Sequence, residues 1–231
     1  FPADDGIRDD RLSRGLGDLY KRQGMEMAKI LTGENVHSII SQMLSLGVLD
    51  RVFENIHLEL PPELSTEYLV NLALLFRNSE LSGDELASKM RDLLVLSKND
   101  LLEISMMHEC RYLSLDVTIE SARRFHAAVS DRRKRMIMSY LEKNGIETEK
   151  FEKLFRSINP GDLILKPIVD GERLANVTGL IPGPRLGRLK GWLHRRQIEE
   201  ASRTEEDVLQ FLSDIDWKSS DYQEWRALSW P

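Results

Sequence analysis

From Gly24 onward, apolar residues return at three- and four-residue steps with charged residues between them, the spacing that lines one face of an α-helix. Ile39, Ile40, Met43, Leu44 and Leu46 set this pattern first, with Asn35 placed to cap the helix and Gly47 to stop it. A break at Leu60, Pro61 and Pro62 precedes a broad apolar face of Tyr68, Leu69, Leu72, Leu74 and Leu75, which predicts a helix over 65–76. Ser82 and Asp84 start the next, running to Leu94. Asn99 is the expected cap of a helix through Met106 and Met107, and Asp116 the expected start of a longer one carrying Ile119, Ala122, Phe125 and Val129. Helices are also predicted over 130–143, ended by Gly145, and over 147–158, broken by Pro160 and Gly161. Pro167 then precedes a short segment with Gly171 and Leu174.

Short connections between helices favour antiparallel neighbours. The expected fold is therefore all-α, an antiparallel bundle or superhelix of about ten to twelve short helices. The weakest segment, 160–167, divides the expectation into a helical region over 24–160 and a second over 161–231. Composition points the same way, because Leu, Glu, Arg, Lys, Ala and Met prevail over Val, Thr and Tyr. At 231 residues and 41% hydrophobic, the chain is long enough to bury a sizeable core.

The chain opens at Phe1 and has no methionine before Met25, so its true start is expected to be missing or processed away. Residues 1–23 mix opposing charges with Gly6, Gly15 and Gly17 and show no periodicity, as expected of a disordered segment. This tract also resembles translated sequencing-adapter read-through, and is expected to be artefactual. Its Arg8, Arg11, Arg14, Lys21 and Arg22 are matched by Asp4, Asp5, Asp9, Asp10 and Asp18, which makes it a poor hook for RNA.

A single cysteine, Cys110, forms no internal disulfide and reads as a small buried residue in a reducing, intracellular compartment. No Cys/His set has metal-ligand spacing, and His37, His57, His108, His126 and His194 stand alone, none followed by Asp. No apolar run approaches the roughly 18 to 20 residues that span a bilayer, so no membrane partner is expected. The net charge of −6 argues against a uniformly basic nucleic-acid binder and confines any such contact to local patches.

One such patch lies in the segment DGERLANVTGLIPGPRLGRLKGWLHRRQIEEASRTEEDVLQFL. Pro182 and Gly183 turn the chain sharply, Gly187 allows close backbone approach, and the helix that follows opens with free N–H groups suited to a phosphate. Leu186, Leu189 and Leu193 share one helical face, with Arg185, Arg188 and Arg195 beside it and Trp192 between. From Gly183 to Arg196 there are five cations, Arg185, Arg188, Lys190, Arg195 and Arg196, and no acid. They are phosphate-contact candidates, against the plainer reading of a solvated basic face. Trp192 reads first as a core-rim residue and second as a stacking platform for a base. A second basic run, Arg123 and Arg124 followed by Arg132, Arg133, Lys134 and Arg135, either tracks an RNA backbone or is a solvated face. Thr204, followed by Glu205, Glu206 and Asp207, caps the last helix.

Through Gly179, Leu180, Pro182, Gly183, Gly187, Leu189, Leu193, Gln197, Ile198, Thr204, Glu206 and Leu212, this segment resembles the carboxy-terminal module of class II CCA-adding tRNA nucleotidyltransferases and bacterial poly(A) polymerases. Upstream, Lys29, Leu31, Gly33, Leu46, Gly47 and Leu49 are similar to that family's segment after the nucleotide-binding neck. Between 60 and 170 only the helix pattern matches. The resemblance implies the body and tail of such an enzyme, with tRNA as partner. The family's catalytic elements are not recognisable here: there is no G-G-x-hydrophobic-R-D turn in a βα unit, no paired acidic Asp-x-Asp to hold two metal ions, and no E-D-x-x-R element. Mg2+ and CTP or ATP are therefore expected of an upstream head and not of this chain. Two rival readings stay open, a helix-hairpin-helix-like DNA binder built on Leu180 to Gly183 with Gly187, and a helical protein-interaction scaffold.

Overall fold

A computed structural model describes residues 21–54 and 56–231. The described residues form α-helices and short 3-10 turns and no strand, as the all-α expectation requires. They divide into two compact units. Unit 1 comprises the described residues up to Ser114 with Arg135–Glu147, and unit 2 comprises Leu115–Lys134 with Thr148–Pro231.

Unit 1 contains α1 (residues 21–31), α2 (Val36–Ser45), α3 (Val48–Val52), α4 (Tyr68–Leu75), α5 (Gly83–Leu94), α6 (Lys98–Glu109) and most of α8 (Asp131–Lys143). Every residue of α4 after Tyr68 is buried, the mark of a helix surrounded by others. Phe53 and Phe76 pack edge to face beside it, centroids 5.0 Å apart. Asn71 is the polar exception within α4, and each of its groups is matched: Oδ1 accepts from Ser65 N at 2.6 Å, and Nδ2 donates to the carbonyls of Leu31 and Ser65, both at 2.7 Å. Ser82 and Glu85 close a reciprocal capping box at the start of α5.

Unit 2 contains α7 (Ile119–Ala128), the first turn of α8, α9 (Glu149–Ser157), α10 (Gly171–Thr178), α11 (Pro184–Glu200) and α12 (Glu205–Gln210). Leu186, Leu189 and Leu193 of α11 face inward as their spacing predicts, and meet Leu174, Val208 and Trp225. Fully burying such side chains stabilises by about 1.5–3 kcal/mol each. A second apolar group joins Phe125, Phe151, Phe155 and Trp230.

Several local expectations are corrected. Residues 21–23, expected to be disordered, are helical, while 1–20 lie outside the described residues. Ser97 rather than Asn99 caps α6, its side chain accepting from Asp100 N, and Thr118 rather than Asp116 caps α7, accepting from Ser121 N. Asn99 already lies within α6, where its side chain is past the cap position, and Asp116 lies two residues short of the Thr118 hydroxyl that caps α7. Leu46, assigned to the apolar face of α2, is 76% exposed.

Candidate nucleic-acid interface

The sharpest motif forms a hairpin of α10 and α11. Asp170 caps α10 by accepting from Arg173 N at 2.8 Å, and Gly179, at φ +72, ends it in the left-handed conformation that glycine adopts without strain. Leu180 turns inward while Ile181 at the tip is 83% exposed. α11 then begins at Gly183 with Pro184 in its first position, no side-chain cap and no acid in the first turn.

The five cations of this stretch do not behave alike. Arg185 donates Nε to the carbonyl of Trp217 at 3.0 Å and an Nη to that of Ser220 at 2.7 Å, and its guanidinium sits over the rings of Tyr222 and Trp225. It staples the carboxy-terminal segment to α11, with donors engaged inside the protein where a solvent-facing phosphate contact was expected. Arg195 donates to Glu199 at 2.8 Å. Arg196 faces Glu199, Glu200 at 3.3 Å and Asp214 at 3.6 Å, and lies over the Phe211 ring. Arg188 and Lys190 make no hydrogen bond or ion pair among the described residues, and Arg188 is exposed.

Glu199, which the sequence reading did not single out, is the centre of this charge network. Its side chain is 6% exposed and takes Arg124, Arg195 and Arg196, while Arg123 donates to its backbone carbonyl at 2.5 Å. Burial alone would raise its pKa. Hydrogen bonds and charge from Arg195 and Arg124 outweigh burial and hold the carboxyl below its ordinary range. Gln197 is equally structural: its side-chain oxygen accepts from Ile168 N at 3.0 Å, and its amide donates to the carbonyls of Ile164 and Lys166. The sequence signal for Gln197 is its place four residues after Leu193, in line with the inward leucine face, and Glu199 carries none of its own.

The second basic run is also less free than expected. Lys134 is buried, pairs with Asp131 at 2.9 Å, reaches His126 Nδ1 at 3.5 Å and lies over the Phe155 ring. Arg123 and Arg124 are engaged at Glu199. Arg132 and Arg135 are exposed and Arg133 half-buried, and each takes part in an interaction within the chain. Trp192 is half-buried against the core of unit 2, which favours the core-rim reading over the stacking one.

The close backbone approach expected at Gly187 is found instead at Gly191, for which the sequence reading gave no role. A Cβ at Gly191 would lie 3.1 Å from that of Ala227, so Gly191 is where the carboxy-terminal segment comes close. A Cβ at Gly187 would meet nothing within 4 Å, so the close approach expected there is not made by the described protein. The sequence also holds one Asp-x-Asp, at Asp214 and Asp216. Asp214 faces Arg196, and Asp216 accepts from the hydroxyl and amide of Ser219, so both serve the fold. No cluster of three or more His, Cys, Asp or Glu side chains able to hold a metal occurs among the described residues, and no helix among them is long and apolar enough to cross a membrane.

No family model, curated protein or solved structure matches the chain.

Proposed function

We propose that this chain is the tRNA-gripping, non-catalytic part of a CCA-adding tRNA nucleotidyltransferase, acting in tRNA 3′-end processing, with the first turns of α11 laid against an RNA phosphate. The observation that carries this reading is Gly187. In a helix interior glycine costs roughly 0.5–1 kcal/mol relative to alanine, and no neighbour among the described residues calls for it. A bare backbone patch is useful to a partner that must come close. Beside it stand Arg188, exposed and unpaired among the described residues, then Lys190, and the uncapped amides after Gly183. The motif that Gly179 to Gly187 share with the family supplies the identity of that partner.

The test is binding of tRNA and of duplex DNA by the full chain across about 50 to 200 mM salt. The expected result is preference for tRNA with a shallow log–log slope of about −1 to −2, because few cations are free to release counterions. Preference for duplex DNA contradicts the reading in favour of a helix-hairpin-helix binder. Failure to bind either leaves the scaffold reading.

A further inference from the structure

Asn144 is the only asparagine of the chain followed by glycine, and the pair closes the end of α8. Gly145, at φ +81, donates its N–H to the Glu142 carbonyl at 3.0 Å, and the Ile146 N–H donates to the Leu141 carbonyl at 2.9 Å. These crossed bonds satisfy carbonyls that the last turn of a helix otherwise leaves free. A Cβ at Gly145 would meet nothing within 4 Å among the described residues, so the left-handed turn, and not crowding, is what calls for glycine. Asn144 Nδ2 reaches out of the turn and donates to the Arg111 carbonyl at 2.8 Å. That contact ties the end of α8 to the 3-10 turn Cys110–Tyr112 within unit 1.

An asparagine before glycine holds the groups for a spontaneous reaction. The Gly145 nitrogen loses its proton to solvent and attacks Asn144 Cγ, ammonia leaves, and a five-membered succinimide forms. Water then opens the ring at either carbonyl, to aspartate or to isoaspartate. The sum is amide plus water going to acid plus ammonia, with no oxidant or cofactor. Gly145 is exposed and Asn144 half-buried, so water reaches both, and no side chain crowds the attacking nitrogen. Every other asparagine is followed by a residue that carries a side chain, and Pro160 after Asn159 has no N–H to lose. In the folded chain the Gly145 N–H is held by Glu142 and the Asn144 amide by Arg111, so the reaction waits for the last turn of α8 to fray. Helix termini open at lower free energy than helix interiors.

We propose that Asn144–Gly145 is a deamidation site guarded by the fold, and that conversion there irreversibly releases the end of α8 from the turn that carries Arg111. The product carboxylate, ionised at neutral pH, has no proton to donate to the Arg111 carbonyl and repels it. Isoaspartate also lengthens the main chain by one carbon ahead of Gly145, which draws the bonds to Glu142 and Leu141 out of register. The inference does not depend on the RNA reading of α11.

The experiment ages the full chain in mildly alkaline buffer, folded and in guanidinium chloride, and follows the mass gain of amide-to-acid conversion peptide by peptide. In the folded chain the Asn144 peptide is expected to convert before any other, about tenfold or more slowly than in denaturant because two hydrogen bonds must open first. Asn144→Gln keeps an amide donor but needs a larger ring, and its peptide is expected to gain no mass over the same period. The aged protein, separated from the parent by its extra negative charge, is expected to show shifted amide signals at Arg111 and Tyr112 and a lower urea midpoint. No conversion at Asn144 in the folded chain, earlier conversion at another asparagine, equal rates with and without denaturant, or unshifted Arg111 and Tyr112 signals each overturns the proposal.

Discussion

Glu199 and His108 show how much of this fold depends on single polar groups placed where water does not reach. Glu199→Gln removes the one buried carboxylate shared by three guanidiniums, and breaking a buried pair costs about 3–5 kcal/mol. Urea unfolding is expected to show about that loss, with Glu200→Gln, on an exposed residue, changing stability by less than about 0.5 kcal/mol. Because the folded pKa of Glu199 is depressed, its contribution is present above about pH 4.5 and is lost as the pH falls through the lowered value. His108 acts at higher pH. Its Nε2 donates to the Leu81 carbonyl at 2.8 Å, its Nδ1 is buried without a partner, and burial, with the charge of Arg111, pushes its pKa below the ordinary 6.5. Below pH 6.5 the unfolded chain takes up the proton more readily than the folded one, so stability falls as the pH drops from 6.5. Burial shifts His126 and His194 in the same direction. His108→Gln keeps a donor for Leu81 and is expected to flatten the decline between pH 7 and 5 in denaturant midpoints; an unaltered decline excludes His108 as its source.

At the scale of the element, α11 carries both the most legible and the least legible parts of the molecule. Its leucine face, its start at Pro184 and the Thr204 cap beyond it follow from spacing and capping chemistry, and the structure has them where those rules put them. What periodicity cannot express is which polar residues on the other face find partners. Arg185 and Arg188 look alike in sequence, yet only Arg185 is reached by the carbonyls of Trp217 and Ser220. Gly187 and Gly191 are likewise indistinguishable until Ala227 arrives beside the second. Gly191→Val is expected to force the carboxy-terminal segment off α11, since even a Cβ there is 3.1 Å from Ala227. Trp225, 5% exposed, reports the change: its emission is expected to shift to the red, and an unshifted spectrum argues that the segment adapts around the new side chain.

For the whole molecule, helix type and approximate bounds were legible because amphipathic spacing is local. The composition of each unit was not, because α8 begins in one and continues in the other, a partition that no local pattern encodes. The net charge of −6 was a fair warning about the candidate interface. Most of the arginines picked out as phosphate ligands face acids or carbonyls of the protein itself, and a short patch at the start of α11 remains. The central claim, that this patch grips tRNA, makes opposite demands on stability and on binding at Gly187. The direct measurement is tRNA affinity and unfolding free energy on the same samples of the parent chain and Gly187→Ala. The account predicts a gain of about 0.5–1 kcal/mol in stability together with a fall in tRNA affinity of about fivefold or more, from a methyl group set between the helix and a phosphate. A more stable variant that binds tRNA as tightly as the parent would contradict it.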